Sequence, residues 1–93
     1  MIVGTCLIEV HIFESNSLKE KRHVIKSLLG RLQSRFNISI AEVDNFERWN
    51  SSIIGFSCVS NTTSHVQSII SNVIKFIDRD NRLEIVNQNT EIF

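Results

Sequence analysis

Across Ser17-Leu18-Lys19-Glu20-Lys21-Arg22 the hydrophobic period of this chain changes from two to 3.6, and that change constrains the fold more than any other feature. Upstream, Ile2, Cys6, Ile8, Val10 and Ile12 share one phase, with Thr5, Glu9 and His11 in the other. This alternation predicts a strand over residues 2–13 that is buried on one side. Glu14-Ser15-Asn16 supplies the turn. Ser17, with Glu20 three residues on, fits a capping box, in which hydroxyl and carboxylate satisfy free backbone N–H groups at a helix start. Leu18, Ile25, Leu28, Leu29, Leu32 and Phe36 then recur along one helical face.

The later elements follow from the same patterns. Gly30 interrupts the first helix on its exposed side, near Lys19, His23 and Lys26, where a packing reason for it is not evident. Asn37 is a helix stop. A strand follows from Ile38 to Asp44, and its irregular phase calls for a bulge or for exposure on both faces. Residues 45–52 form a polar connection that carries the single tryptophan, Trp49. Ile53 to Ser60 is a strand with Ile54, Phe56 and Cys58 in phase. Asn61-Thr62-Thr63 offers N-caps for a second helix, whose stripe is Val66, Ile69, Ile70, Val73 and Ile77. Asp78–Arg82 breaks that pattern, and Leu83–Phe93 is a last strand.

The order is βαββαβ. We therefore expect an α+β, ferredoxin-like domain over residues 1–93, a four-stranded antiparallel sheet with both helices on one face. The first and third strands would be central neighbours, which points Cys6 and Cys58 into the core. The opposite face of the sheet would be uncovered. It would carry Val3, Leu7, Ile53, Val59 and Val86 among Thr5, Glu9, His11, Ser57 and Glu84, more apolar than a solvated face requires. A homodimer or a docked protein would cover it, with Leu7, His11, Val59 and Trp49 as contact residues. Scattered surface apolar residues are the plain alternative.

Composition narrows the classes of function. Ninety-three residues, 42% apolar and 22% charged, suffice for one small globular core without metal or disulfide support. No apolar run reaches membrane-span length, and no basic segment precedes the first apolar stretch, so no membrane association, no secretory leader and a cytoplasmic location are expected. The two cysteines form no CxxC pair, and no cofactor or metal is expected. Formal net charge is zero, yet residues 17–36 hold Lys19, Lys21, Arg22, Lys26, Arg31 and Arg35 against Glu20 alone. A neutral chain with one basic helix can steer a polyanion to one surface.

Glu9-Val10-His11, Ser17–Arg22, the run Phe36-Asn37-Ile38-Ser39-Ile40-Ala41-Glu42-Val43-Asp44 and Trp49 together resemble the YlxP-like family of small bacterial proteins of unknown function. The resemblance spans essentially the whole chain and implies a ferredoxin-like fold. Such proteins are often encoded beside transcription-elongation, translation-initiation and ribosome-maturation genes, which implies RNA or ribosome association. It implies no catalytic residue or ligand.

The basic residues carry the functional expectation. Lys19, Lys21, Arg22, Lys26, Arg31 and Arg35 would contact phosphates of structured RNA or the ribosome, helped by free N–H groups at the helix start. An ordinary solvated helix face is the competing reading. A sheet platform for RNA is disfavoured, because Phe56 falls in the core phase and no aromatic ring stands in the exposed phase of the third strand. Glu9, His11, Glu42 and Asp44 match no metal spacing and read as solvated sheet residues. His23 and His65, near the helix starts, are expected to face water. Trp49 is either a partner anchor or a lid over the sheet end. The three glycines are isolated, no acylphosphatase-like loop runs into an arginine, and both cysteines read as buried. A non-catalytic binding module is therefore expected, with a protein-interaction module as the alternative.

Overall fold

The computed structural model describes residues 1–93 and places six elements along them. They are β1 (Ile2–Ile12), α1 (Leu18–Arg35), β2 (Ser39–Asp44), β3 (Ser51–Ser60), α2 (Thr63–Asp78) and β4 (Leu83–Ile92). The sheet order is β2-β3-β1-β4 and every pairing is antiparallel, which is the ferredoxin-like arrangement. α2 packs on β1, β3 and β4, and α1 packs on β2 and α2. No helix is long and apolar enough to cross a membrane.

The core is the product of the two periodicities. Cys6, Ile8, Val10 and Ile12 from β1 lie beside Ile54, Phe56 and Cys58 from β3, all buried. The helices close over them with Ile25, Leu28 and Leu32 from α1 and Val66, Ile70, Val73 and Ile77 from α2. Burial pushes both thiols above the usual cysteine range, so Cys6 and Cys58 act as small apolar core residues. α2 approaches most closely at Gly4, where an added Cβ would stand 2.4 Å from Val66 Cγ1 and 2.9 Å from Ile70 Cδ1. A hydrogen at that position lets helix and strand touch.

Both helix starts are capped as their sequences predict. Ser17 Oγ accepts from Glu20 N at 3.1 Å, and Glu20 Oε2 accepts from Asn16 N at 2.7 Å. Thr62 Oγ1 accepts from His65 N at 3.3 Å. α2 ends at a staple rather than a glycine. Arg82 donates to both carboxylate oxygens of Asp80, at 2.9 and 2.7 Å, and to Ser27 Oγ of α1 at 3.3 Å. The guanidinium holds the Asp80 carboxyl below the ordinary carboxylate range.

Two bulges explain the irregular strand phases. In β2 the register with β3 shifts between Glu42 and Asp44, so Val43 has no partner and turns to the open face. In β4 the register with β1 shifts between its residues opposite Glu9 and Val10, leaving Val86 out. Leu83 is buried and Ile85 half-buried, but every residue from Val86 onward is exposed. Beyond the bulge, Thr90 occupies the core-facing phase and donates to Cys6 Sγ at 3.5 Å.

Gly30 lies on the exposed side of α1, and a Cβ built there meets nothing within 4 Å. Gly30→Ala should therefore raise stability by about 0.5–1 kcal/mol, read as a higher denaturant midpoint at unchanged slope.

Candidate nucleic-acid interface

Three connections meet at one end of the sheet: residues 13–17, 45–50 and 79–82. Backbone bonds from Ile12 N to Asn50 O and from Phe13 N to Arg82 O, both 2.9 Å, tie them to the end of β1. Ser15, buried in its turn, donates its hydroxyl to Trp49 O at 2.5 Å. Beneath them lies Lys21, whose side chain is 0% exposed. Its ammonium pairs with Glu42 Oε2 at 2.7 Å and donates to Asn45 O at 2.8 Å and Phe46 O at 3.3 Å. Ser52, also buried, donates to the same Glu42 oxygen at 2.5 Å. Asn45 takes a left-handed conformation (φ 62°) that Asn tolerates, and this presents its carbonyl to Lys21.

This arrangement corrects three sequence expectations. Lys21 is not a phosphate contact, because all its donors are spent inside the fold. Glu42 is not a solvated sheet residue: it shares the core-facing phase of β2 with Ile40 and faces α1. The start of α1 is also a poorer anion site than expected, since Ser17 Oγ takes the Glu20 N–H and the Glu20 carboxylate puts a negative charge beside the remaining N–H groups.

The other predicted cations divide into two groups. Lys19, Arg22 and Lys26, spaced i, i+3 and i+7, lie exposed along the outer face of α1 and form no ion pair. His23 is exposed beside them, and Lys19 and His23 border a shallow groove that also takes in His11, Phe13, Asn81 and Arg82. Arg31 and Arg35 instead turn toward α2, with their guanidinium carbons 5.1 and 5.3 Å from the centroid of the Phe76 ring. Arg31 also comes within 3.9 Å of Asp80.

The predicted contact residues are not brought together into one patch. Leu7 and Val59 stand exposed on the open sheet face, where Leu7 and Val43 side chains close over Gly55. His11 is on that face of β1 too, edge-on to Phe13 at a centroid distance of 5.6 Å. Trp49 is at the loop end with its ring about half exposed. Glu9 and His11 are separated from Glu42 by the sheet, so the four polar strand residues do not converge. His65 is exposed, as expected, with its Nδ1 2.7 Å from Ser60 Oγ.

Sequence reasoning missed Phe13 and Phe46, both exposed at the loop end, and Lys75 and Arg79 beside Phe76. Phe13 does carry a signal, since it continues β1 into the non-core phase. Lys75 and Arg79 carry none, because only the packing of α2 against α1 brings them near Arg35.

A family model described as "Protein of unknown function (DUF503)" matches residues 3–90. The chain belongs to this family. A relative, the "Uncharacterized protein YlxP" of Bacillus subtilis (strain 168), is 34% identical over 92 residues, which is 99% of this chain and all of that protein. The YlxP resemblance carried by Ser17–Arg22 and the β2 run thus holds over the full length. Two solved structures are similar in shape. One is a de novo designed protein with a ferredoxin fold, at 16% identity and a TM-score of 0.47, covering all of this chain and 84% of the other. The second is a dimeric ferredoxin-like protein from an uncultured marine organism, at 8% identity and a TM-score of 0.42, covering all of this chain and 94% of that one.

The Lys21–Glu42 pair makes a direct test of how the loop end is held. Lys21→Ala strands a carboxylate and two carbonyls, and should cost about 3 kcal/mol in chemical denaturation. The Trp49 emission of the folded variant should shift as its connection loses its tie. Lys21→Met with Glu42→Leu should recover most of the stability but not the emission.

Proposed function

We propose that this DUF503 member is a non-catalytic cytoplasmic module that binds structured RNA, ribosomal RNA included, through the outer face of α1. The observation that carries the reading is the stripe of Lys19, Arg22 and Lys26, exposed and unpaired on a helix whose opposite face is anchored in the core. Cations so spaced neutralise backbone phosphates without reading base sequence. The central strand β3 offers no ring for stacking, since Phe56 is 4% exposed, and the rings of His11 and Phe13 stand only at the loop end of β1, edge-on to each other. The charge of the open sheet face argues the same way, because Glu9, Glu84 and Glu91 share that face.

Binding of ribosomal particles and of an RNA hairpin across a salt series tests the reading. Affinity should fall steeply with salt, and Lys19→Gln/Arg22→Gln/Lys26→Gln should lower the log–log slope by roughly 0.9 per cation removed. Association that is absent or indifferent to salt rules it out.

A second reading rests on the open face itself. Leu7, Val43, Val59 and Val86 are between 45% and 56% exposed there, with Val3 and Ile53 half-buried among them. A second copy of the chain laid on this face would cover them and leave both basic helices outward. Sedimentation should then give a dimer that Leu7→Glu converts to a folded monomer. A monomer at all concentrations removes this reading and leaves the first intact.

A further inference from the structure

The C-terminal half of α1 and that of α2 enclose a crevice that neither the stripe nor the core explains. At its floor is Phe76, half-buried, met edge-on by Phe36 at 5.9 Å. Arg31 and Arg35 both stack toward this ring, and Lys75 and Arg79 line the same crevice with the Asn72 amide. Asp80, the carboxylate at its border, is taken by the two-point contact from Arg82, and only Arg31 reaches it, at 3.9 Å. Arg35, Lys75 and Arg79 have no acidic partner.

Shielding an aromatic ring from water accounts for Arg31 and Arg35 but not for Lys75 and Arg79. Four cations gathered around one ring repel one another, a cost that falls when an anion enters. A guanidinium stacked on a ring is held in place without spending its N–H donors, which remain free for phosphate oxygens.

We propose that this crevice is a second phosphate site, formed by Arg35, Lys75 and Arg79, for the same RNA backbone that lies along the α1 stripe. The inference rests on the RNA reading and extends it to α2. Arg35 lies about half a turn around α1 from Lys26, so the backbone must pass over the exposed outer face of the helix to reach α2, and Lys19 to Arg35 spans about 24 Å of helix. Between them the outer line of α1 carries Gly30, where no side chain stands in the way of a strand. The sugar–phosphate chain therefore crosses from α1 onto α2 over a gap in the side-chain surface.

Fluorescence anisotropy of a labelled RNA hairpin across a salt series, with three proteins, tests this. Lys75→Gln/Arg79→Gln removes two charges whose side chains form no hydrogen bond or ion pair in the fold, so its melting temperature should match the parent. It should bind about tenfold more weakly at low salt and lower the salt slope by roughly 0.9 per cation. Lys19→Gln/Arg22→Gln/Lys26→Gln serves as the reference for the stripe. If that triple variant loses binding while Lys75→Gln/Arg79→Gln keeps parental affinity and slope, the crevice is no phosphate site and the RNA reading survives. If the parent protein binds no RNA, both fall together.

Discussion

The orientation of everything on the helix layer depends on one buried ammonium. Lys21 sits four, seven and eleven residues before Ile25, Leu28 and Leu32, in the middle of the buried face of α1. Apolar packing alone is non-directional and would let this helix rotate or slide over the sheet. A charge that has left water is different, because its desolvation is offset only in the one geometry where Glu42, Asn45 and Phe46 surround it. That geometry fixes the rotation of α1, and with it the outward aim of Lys19, Arg22 and Lys26. It also fixes the β2–β3 connection, so the loop end and the basic face are set by the same contact.

Much of this fold was legible in the residues, for reasons that differ by element. β1, β3 and α2 could be read because one dominant force, burial of a single face, sets their periodicity. The bulge in β2 was signalled by the phase change between Ile40 and Val43. Lys21 was not legible as a buried residue, although its spacing to Ile25 and Leu28 placed it in the apolar stripe. A lysine inside a basic run reads as solvated unless its partner is known, and Glu42 is supplied by a strand 21 residues further on. The capping box shows the reverse case. Ser17 and Glu20 were read correctly, and the same reading, followed through, weakens the anion site of the helix start, because one N–H is taken and a carboxylate stands beside the others. The crevice required two helices to be placed against each other before Lys75 and Arg79 became neighbours of Arg35.

The zero net charge conceals a separation of sign. Cations of α1 and α2 occupy the helix side, while Glu9, Glu84 and Glu91 lie on the open face of the sheet. The resulting field attracts a polyanion to one side and repels it from the other. On the RNA reading proposed above, the apolar residues of the sheet face stay clear of the bound strand.

The β4 bulge has a thermodynamic side. Up to Ile85 that strand is fastened by apolar burial; past Val86 it is held by backbone bonds to β1 and by the Thr90–Cys6 contact, with no buried residue of its own. A strand half with so little buried surface opens at a fraction of the global unfolding free energy. The protein is therefore mechanically graded along its long axis. Its loop end, where Lys21 is locked in, is the stiff pole, and the far half of β4 is the pole at which amide exchange and fraying begin.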